Sequence, residues 1–109
     1  MDSLTEFALA PGVNARALFG DAAMLNLVEL EPGAIVPRHS HPHEQMGIVL
    51  SGEIVMEFDG EERACHAMDA MHIPSDVTHG AYAGPEGAVV LDVFAPIRED
   101  FRAKAGGGQ

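Results

Sequence analysis

Eight consecutive residues, Arg38-His39-Ser40-His41-Pro42-His43-Glu44-Gln45, hold three of the chain's six histidines. In an extended segment, side chains at i and i+2 share a face, so His39 and His41 converge, and Gln45 at an even offset can face the same way. Two imidazole nitrogens and an amide oxygen aimed into one pocket suit a divalent metal, which binds neutral imidazole at about 2.0 to 2.2 Å and accepts oxygen ligands beside it. A further histidine must come from elsewhere. His79, in Ile73-Pro74-Ser75-Asp76-Val77-Thr78-His79-Gly80, follows a strand and a proline-led turn able to carry it back over the first pair. A His-x-His pair alone is as often an accident of surface or core, and the shared parity together with His79 tips the reading to metal. His43 has the same parity, but Pro42 interrupts the strand before it. Glu44 has the opposite parity and is expected to point outward or to stand behind the ligands. His66 and His72 have no partner identifiable by spacing and read as structural. Gln45 either closes the donor set or leaves a three-histidine site with open positions.

A second group stands near the C-terminus, in Val89-Val90-Leu91-Asp92-Val93-Phe94-Ala95-Pro96-Ile97-Arg98. Strand parity sets Asp92 and Phe94 on the face opposite Val89, Leu91 and Val93. An acid facing a partly apolar interior beside a metal is a candidate general acid or base, its pKa raised by desolvation and lowered by the cation. Arg98 presents a planar fork of donors suited to a carboxylate. Read singly, Asp92 would be an exposed acid at a strand end and Arg98 a residue of a surface turn.

The elements that must position these groups are strands. Apolar residues recur with a period of two, most clearly at Ile54, Met56 and Phe58 between Glu53 and Glu57. Asp59-Gly60 is a tight-hairpin signal, with Glu61 to His66 returning. Further strands are expected at Met24 to Leu30, Ile35 to His41, Gln45 to Leu50, Met71 to Pro74 and Ala88 to Phe94, with a short helix only at Arg98 to Lys104. Turn signals separate them, among them Pro11-Gly12, Ser51-Gly52 and Gly84-Pro85-Glu86-Gly87. The pattern is an all-β sandwich or barrel in one domain spanning 1–104, followed by a flexible Gly-rich tail at 105–109. Seventeen acids against six bases give a formal charge of −11, which disfavours nucleic acid and anionic membrane surfaces as partners. One cysteine, Cys65, excludes an internal disulfide, and a soluble cytoplasmic protein is expected.

With these residues in view the chain resembles the cupin family. Gly33, His39, His41, Gln45 and Gly52 meet the spacing of the first cupin motif with Gln in the place of Glu, and Pro74 and His79 fit the second. Met68, Asp76 and Ala83 depart from that second motif, the first two replacing its glycines. The resemblance covers about Leu25 to Phe94. It implies a small RmlC-like antiparallel β-barrel of jelly-roll type, usually dimeric, with a metal held by His39, His41, Gln45 and His79. A narrower likeness, carried by His-Ser-His-Pro-His-Glu-Gln and by Asp92 to Asp100, is to the KdgF-type cupins of uronate catabolism. That likeness implies carbohydrate metabolism: conversion of 4,5-unsaturated monouronates from the cyclic to the linear keto form, with Asp92 moving protons, Phe94 shaping the pocket and Arg98 holding the carboxylate. The expected cofactor is a divalent ion, nickel, zinc, manganese or iron, and the expected partner a small carboxylated sugar. A non-haem iron dioxygenase and a metal-bearing binding module without turnover are the alternatives.

Overall fold

A computed structural model describes residues 4–106. Within it lie eight strands, β1 (Glu6–Ala10), β2 (Val13–Phe19), β3 (Met24–Leu30), β4 (Ile35–His39), β5 (Glu44–Phe58), β6 (Glu61–His66), β7 (Ala70–Ile73) and β8 (His79–Ala95), and one helix, α1 (Glu99–Lys104). All pairings are antiparallel. The β5–β6 hairpin turns at Asp59-Gly60 with Gly60 at φ 74°, as the dipeptide predicts.

The two long strands organise everything else. The first half of β5 pairs with β7 and with the second half of β8, which in turn pairs with β3; beyond β3 lie β2 and β1. The second half of β5 pairs with β6 and with the first half of β8, whose other neighbour is β4. Each long strand thus belongs to two sheets, which face each other across a shared interior.

This differs from expectation at Ser51-Gly52 and at Gly84-Pro85-Glu86-Gly87. These are bends inside continuous strands, not the turns that separate strands. The β5–β8 register shifts between Val49 and Ser51 and again between Gly52 and Ile54. Gly52 and Gly87 both sit at φ 77°, and a Cβ on Gly52 would overlap the carbonyl oxygen of Gly87. Glycine there lets two backbones cross closely while each changes sheet. The expected closed barrel is also modified: β1 and β7 bound one sheet, β4 and β6 the other, and among the described residues hydrogen bonds do not close the structure. It is a two-sheet jelly-roll-like sandwich with shared strands.

Strands β1 and β2 are additional to those expected. The inward positions of β2 are Val13, Ala15 and Ala17, all buried, and two alanines make a weak apolar signal. In β3 the buried face is Met24, Asn26, Val28 and Leu30. Helix α1 lies across one end of the interior, its buried Phe101 packed on Phe7 at 5.8 Å and on Phe94 at 5.5 Å between ring centroids. Ala105 is buried, and its N–H closes the helix by donating to Phe101 O. Residues 107–109 of the expected tail lie outside the described residues.

Candidate metal centre and adjoining cavity

His39 ends β4 and pairs in register with His79, the first residue of β8. His41 lies just past β4, two residues beyond the strand end, so ideal strand parity does not by itself aim it inward. A backbone hydrogen bond does: Asp76 N–H donates to His41 O at 2.8 Å, tying the segment between β7 and β8 to the segment after β4. Asp76 adopts φ 66° to make that turn, the conformation of the glycine it replaces. Met68 does the same at φ 73°, its N–H donating to Val49 O at 2.7 Å. The two residues that replace the second motif's glycines therefore keep its backbone shape, at a cost of about 1 to 2 kcal/mol per non-glycine residue.

The result is a cluster of His39, His41 and His79 whose ligand atoms lie within 4.8 Å of one another. Ring centroids are 4.4 Å apart for His39 and His79, 5.1 Å for His41 and His79, and 5.5 Å for His39 and His41. Each ring has its Nδ1 against a backbone carbonyl two residues away: Pro37 O at 2.7 Å, His43 O at 2.9 Å and Val77 O at 2.9 Å. With Nδ1–H donating in all three, each Nε2 is left as a lone-pair donor, the tautomer that metal-ligating histidines use. Burial lowers the pKa of His41 and of His79, with the Arg98 charge lowering both further, so these imidazoles are held neutral.

Gln45 is buried, and its Oε1 lies 3.2 Å from His41 Nε2. In the tautomer fixed by His43 O, neither atom carries a proton for the other. Two acceptors at that spacing suit neighbouring ligands of one ion, which at bond lengths near 2.1 Å stand about 3.0 to 3.4 Å apart. The three histidines and Gln45 therefore fit a divalent cation by their donor chemistry. Glu44 points outward and pairs with His72 at 2.8 Å, while His66 pairs with Glu53 at 2.7 Å on the surface. His43 stays outside the cluster, its Nδ1 buried without a hydrogen-bond partner.

Beside the cluster opens a small cavity of about 80 Å³. Gln45, Asp92, Phe94 and Arg98 line it with His39 and His79, and Val28, Met56, Met71 and Val90 supply apolar wall. Asp92 is 7% exposed. Burial pushes its carboxyl up to about 7, against the opposing effects of a hydrogen bond from Gln45 and the Arg98 charge. Its Oδ1 has no hydrogen-bond partner. Gly47, opposite Asp92 in the β5–β8 ladder, makes room for it, since a Cβ there would overlap Oδ1.

Arg98 is less open than its fork suggests. Asp100 accepts from Nε at 3.2 Å and from Nη2 at 2.8 Å, and the guanidinium lies 4.0 Å from the Phe101 ring centroid and 5.1 Å from that of Phe94. The cation is rigidly placed at the cavity, with two of its nitrogens engaged. One interior residue escapes a reading by spacing alone: Asn26, fully buried on β3 and part of the same cavity wall. Its signal in the sequence is parity, a polar residue on the inward face set by Met24, Val28 and Leu30.

A profile described as a cupin domain matches residues 26–94. The chain is a cupin. It is 32% identical over 95 residues to "Pectin degradation protein KdgF" of Dickeya dadantii (strain 3937), covering 85% of this chain and 86% of that protein. KdgF from Halomonas sp. superposes with a TM-score of 0.84 at 30% identity, covering 92% of this cupin and 94% of that chain. An RmlC-like cupin from Shewanella frigidimarina NCIMB 400 also gives 0.84, at 31% identity and coverage of 92% and 90%. Among the described residues no helix is long and apolar enough to cross a membrane.

Proposed function

We propose that this cupin is a cytoplasmic metal-dependent enzyme that converts a 4,5-unsaturated monouronate from its cyclic hemiacetal to the linear keto acid. The observation that carries the reading is a buried carboxyl with a pKa near neutrality, Asp92, in one cavity with the three-histidine cluster, in a chain similar to KdgF proteins in both sequence and structure. The reaction is an isomerisation. The anomeric hydroxyl loses its proton, C1=O forms as the bond from C1 to the ring oxygen breaks, and the enol released at C5 becomes a ketone as C4 takes up a proton. One group that accepts a proton and returns it suffices, and a carboxyl poised near pH 7 is matched to both transfers. Asp92 fills that role, Phe94 forms the apolar wall against the sugar ring, and Arg98 meets the substrate carboxylate. His39, His41, His79 and Gln45 would hold a divalent ion, which supplies Lewis-acid polarisation of a sugar oxygen when bound. A donor set with no formal charge leaves the ion more of its own. Removal of the C4=C5 double bond abolishes the substrate's ultraviolet absorbance, which gives the assay. Asp92→Asn should abolish that decay while metal content stays at the wild-type level; a fully active variant refutes the assignment. Full turnover without oxygen is expected, and an absolute requirement for oxygen would instead identify a dioxygenase.

We also propose a homodimer. Leu18, Leu25, Val93 and Met46 form one cross-strand row on the outer face of the larger sheet, and Leu27, Leu91 and Ile48 the next. Leu18 and Met46 are each 50% exposed. A contiguous apolar sheet face of this kind is covered in stable proteins. Sedimentation should give twice the chain mass, and Leu91→Glu should return the monomer.

A further inference from the structure

On the interior face of the larger sheet, one row crosses five strands: Ala17 on β2, Asn26 on β3, Asp92 on β8, Gly47 on β5 and Met71 on β7. Its two polar residues, Asn26 and Asp92, are direct neighbours. Asn26 is 1% exposed, and neither its Oδ1 nor its Nδ2 has a hydrogen-bond partner; the adjoining Asp92 Oδ1 has none either. A buried amide with both ends unsatisfied is costly, and such groups are rare in native interiors. Elsewhere on this face the positions are apolar or belong to the metal cluster, so folding alone favours a leucine or valine at 26. All three unpartnered atoms belong to residues lining the cavity.

We infer that Asn26 is a substrate-binding residue that grips a hydroxyl at the deep end of the cavity, next to Asp92. A hydroxyl accepts from Nδ2–H and donates to Asp92 Oδ1 at once, and a neighbouring hydroxyl donates to Asn26 Oδ1. The ligand class is a polyol or sugar carrying adjacent hydroxyls. An apolar acid or a simple dicarboxylate leaves the amide unmatched. The inference deepens the proposed sugar-acid reading and rests on it for the identity of the substrate, not for the role of the amide. Rejection of a substrate lacking the hydroxyl follows, because a site built to hydrogen-bond a hydroxyl discriminates far more sharply than an apolar one.

The test is Asn26→Leu, near in shape and apolar, with Asn26→Val as a second variant should leucine overfill the row. Each is compared with wild type for ligand-free melting temperature, bound metal by elemental analysis, and KM and kcat on 4,5-unsaturated galacturonate. The expected result is a melting temperature at or above wild type, unchanged metal, and KM raised about tenfold to a hundredfold, the effect of losing one or two neutral hydrogen bonds. An unchanged KM in a stable variant overturns the inference. A clear fall in melting temperature in both variants also overturns it, because the amide would then serve the fold. If the wild-type protein leaves the unsaturated uronate untouched, the substrate reading fails. The melting temperatures still decide on Asn26, stability in the apolar variants supporting a ligand-facing amide and its loss refuting one.

Discussion

Replacing Gly47 by alanine should act almost wholly through one atom. The new Cβ would overlap Asp92 Oδ1, whereas Leu91 O at 3.4 Å and Asp92 Cγ at 3.5 Å are ordinary contacts. Relief requires the carboxyl to turn, and turning it breaks the hydrogen bond from Gln45 that steadies it. Overpacking of this kind costs about 1 to 3 kcal/mol, and the lost hydrogen bond lies within that range. Against this stands about 0.5 to 1 kcal/mol gained when a glycine without a positive φ becomes alanine. The net expectation is a loss of about 1 to 2 kcal/mol in a wild-type background. With Asp92→Ala the obstruction is gone, and the same substitution should become stabilising by about 0.5 to 1 kcal/mol. The coupling between positions 47 and 92 is then about 1.5 to 3 kcal/mol, large for a pair in contact. Urea unfolding of chelator-treated protein measures all four corners of the cycle. Gly47→Ala alone should also lose turnover of the unsaturated uronate, since Asp92 no longer points as it does. Equal costs in the two backgrounds would refute the steric account.

Other expectations are simpler. Met68→Gly relieves a left-handed residue whose side chain is 72% exposed, and should raise stability by about 0.5 to 1 kcal/mol, read as a higher urea midpoint. His39→Ala with His41→Ala should remove bound metal and the rise in melting temperature that added metal gives the wild-type protein, about 2.7 kcal/mol at a hundred times Kd. Unaltered stoichiometry would end the ligand assignment. At Asp100, burial favours the neutral acid, but the hydrogen bonds and charge of Arg98 outweigh it and hold the pKa below 3.8. A depressed carboxyl stabilises the fold above its unfolded pKa and loses that contribution as pH falls through the folded one. Asp100→Asn should therefore cost under about 1 kcal/mol at pH 7, the pair being partly exposed, and the difference from wild type should vanish in acid denaturation at the lowest pH.

The interior chemistry was legible wherever a strand is regular. Asp92 and Phe94 point inward with Val90, as parity requires, and the β5–β6 hairpin follows from alternation plus Asp59-Gly60. Legibility failed where backbone shape depends on distant contacts. Nothing local reveals that Gly52 and Gly87 bend continuous strands, because their positive φ values serve a crossing between segments far apart in sequence. The inward aim of His41 likewise depends on Asp76 N–H reaching across from another loop. Alanine-lined β2 was invisible for lack of apolar bulk, and Asn26 because a single asparagine inside an apolar run resembles an imperfection in the strand.

The bond from Asp76 to His41 also separates two timescales. Asp92 and Asn26 stand on β8 and β3, each paired on both sides within the sheet, and their amides can reach solvent only when the sheet itself comes apart. His39 and His41 belong to an edge segment whose strand pairs, among the described residues, with β8, and which a loop contact joins to the segment between β7 and β8. Hydrogen exchange should therefore find the acid half of the cavity protected to the level of global unfolding, with the histidine half opening far more often. A domain arranged in this way can complete the sheet that carries Asp92 first and settle its histidine segment afterwards, leaving the core undisturbed.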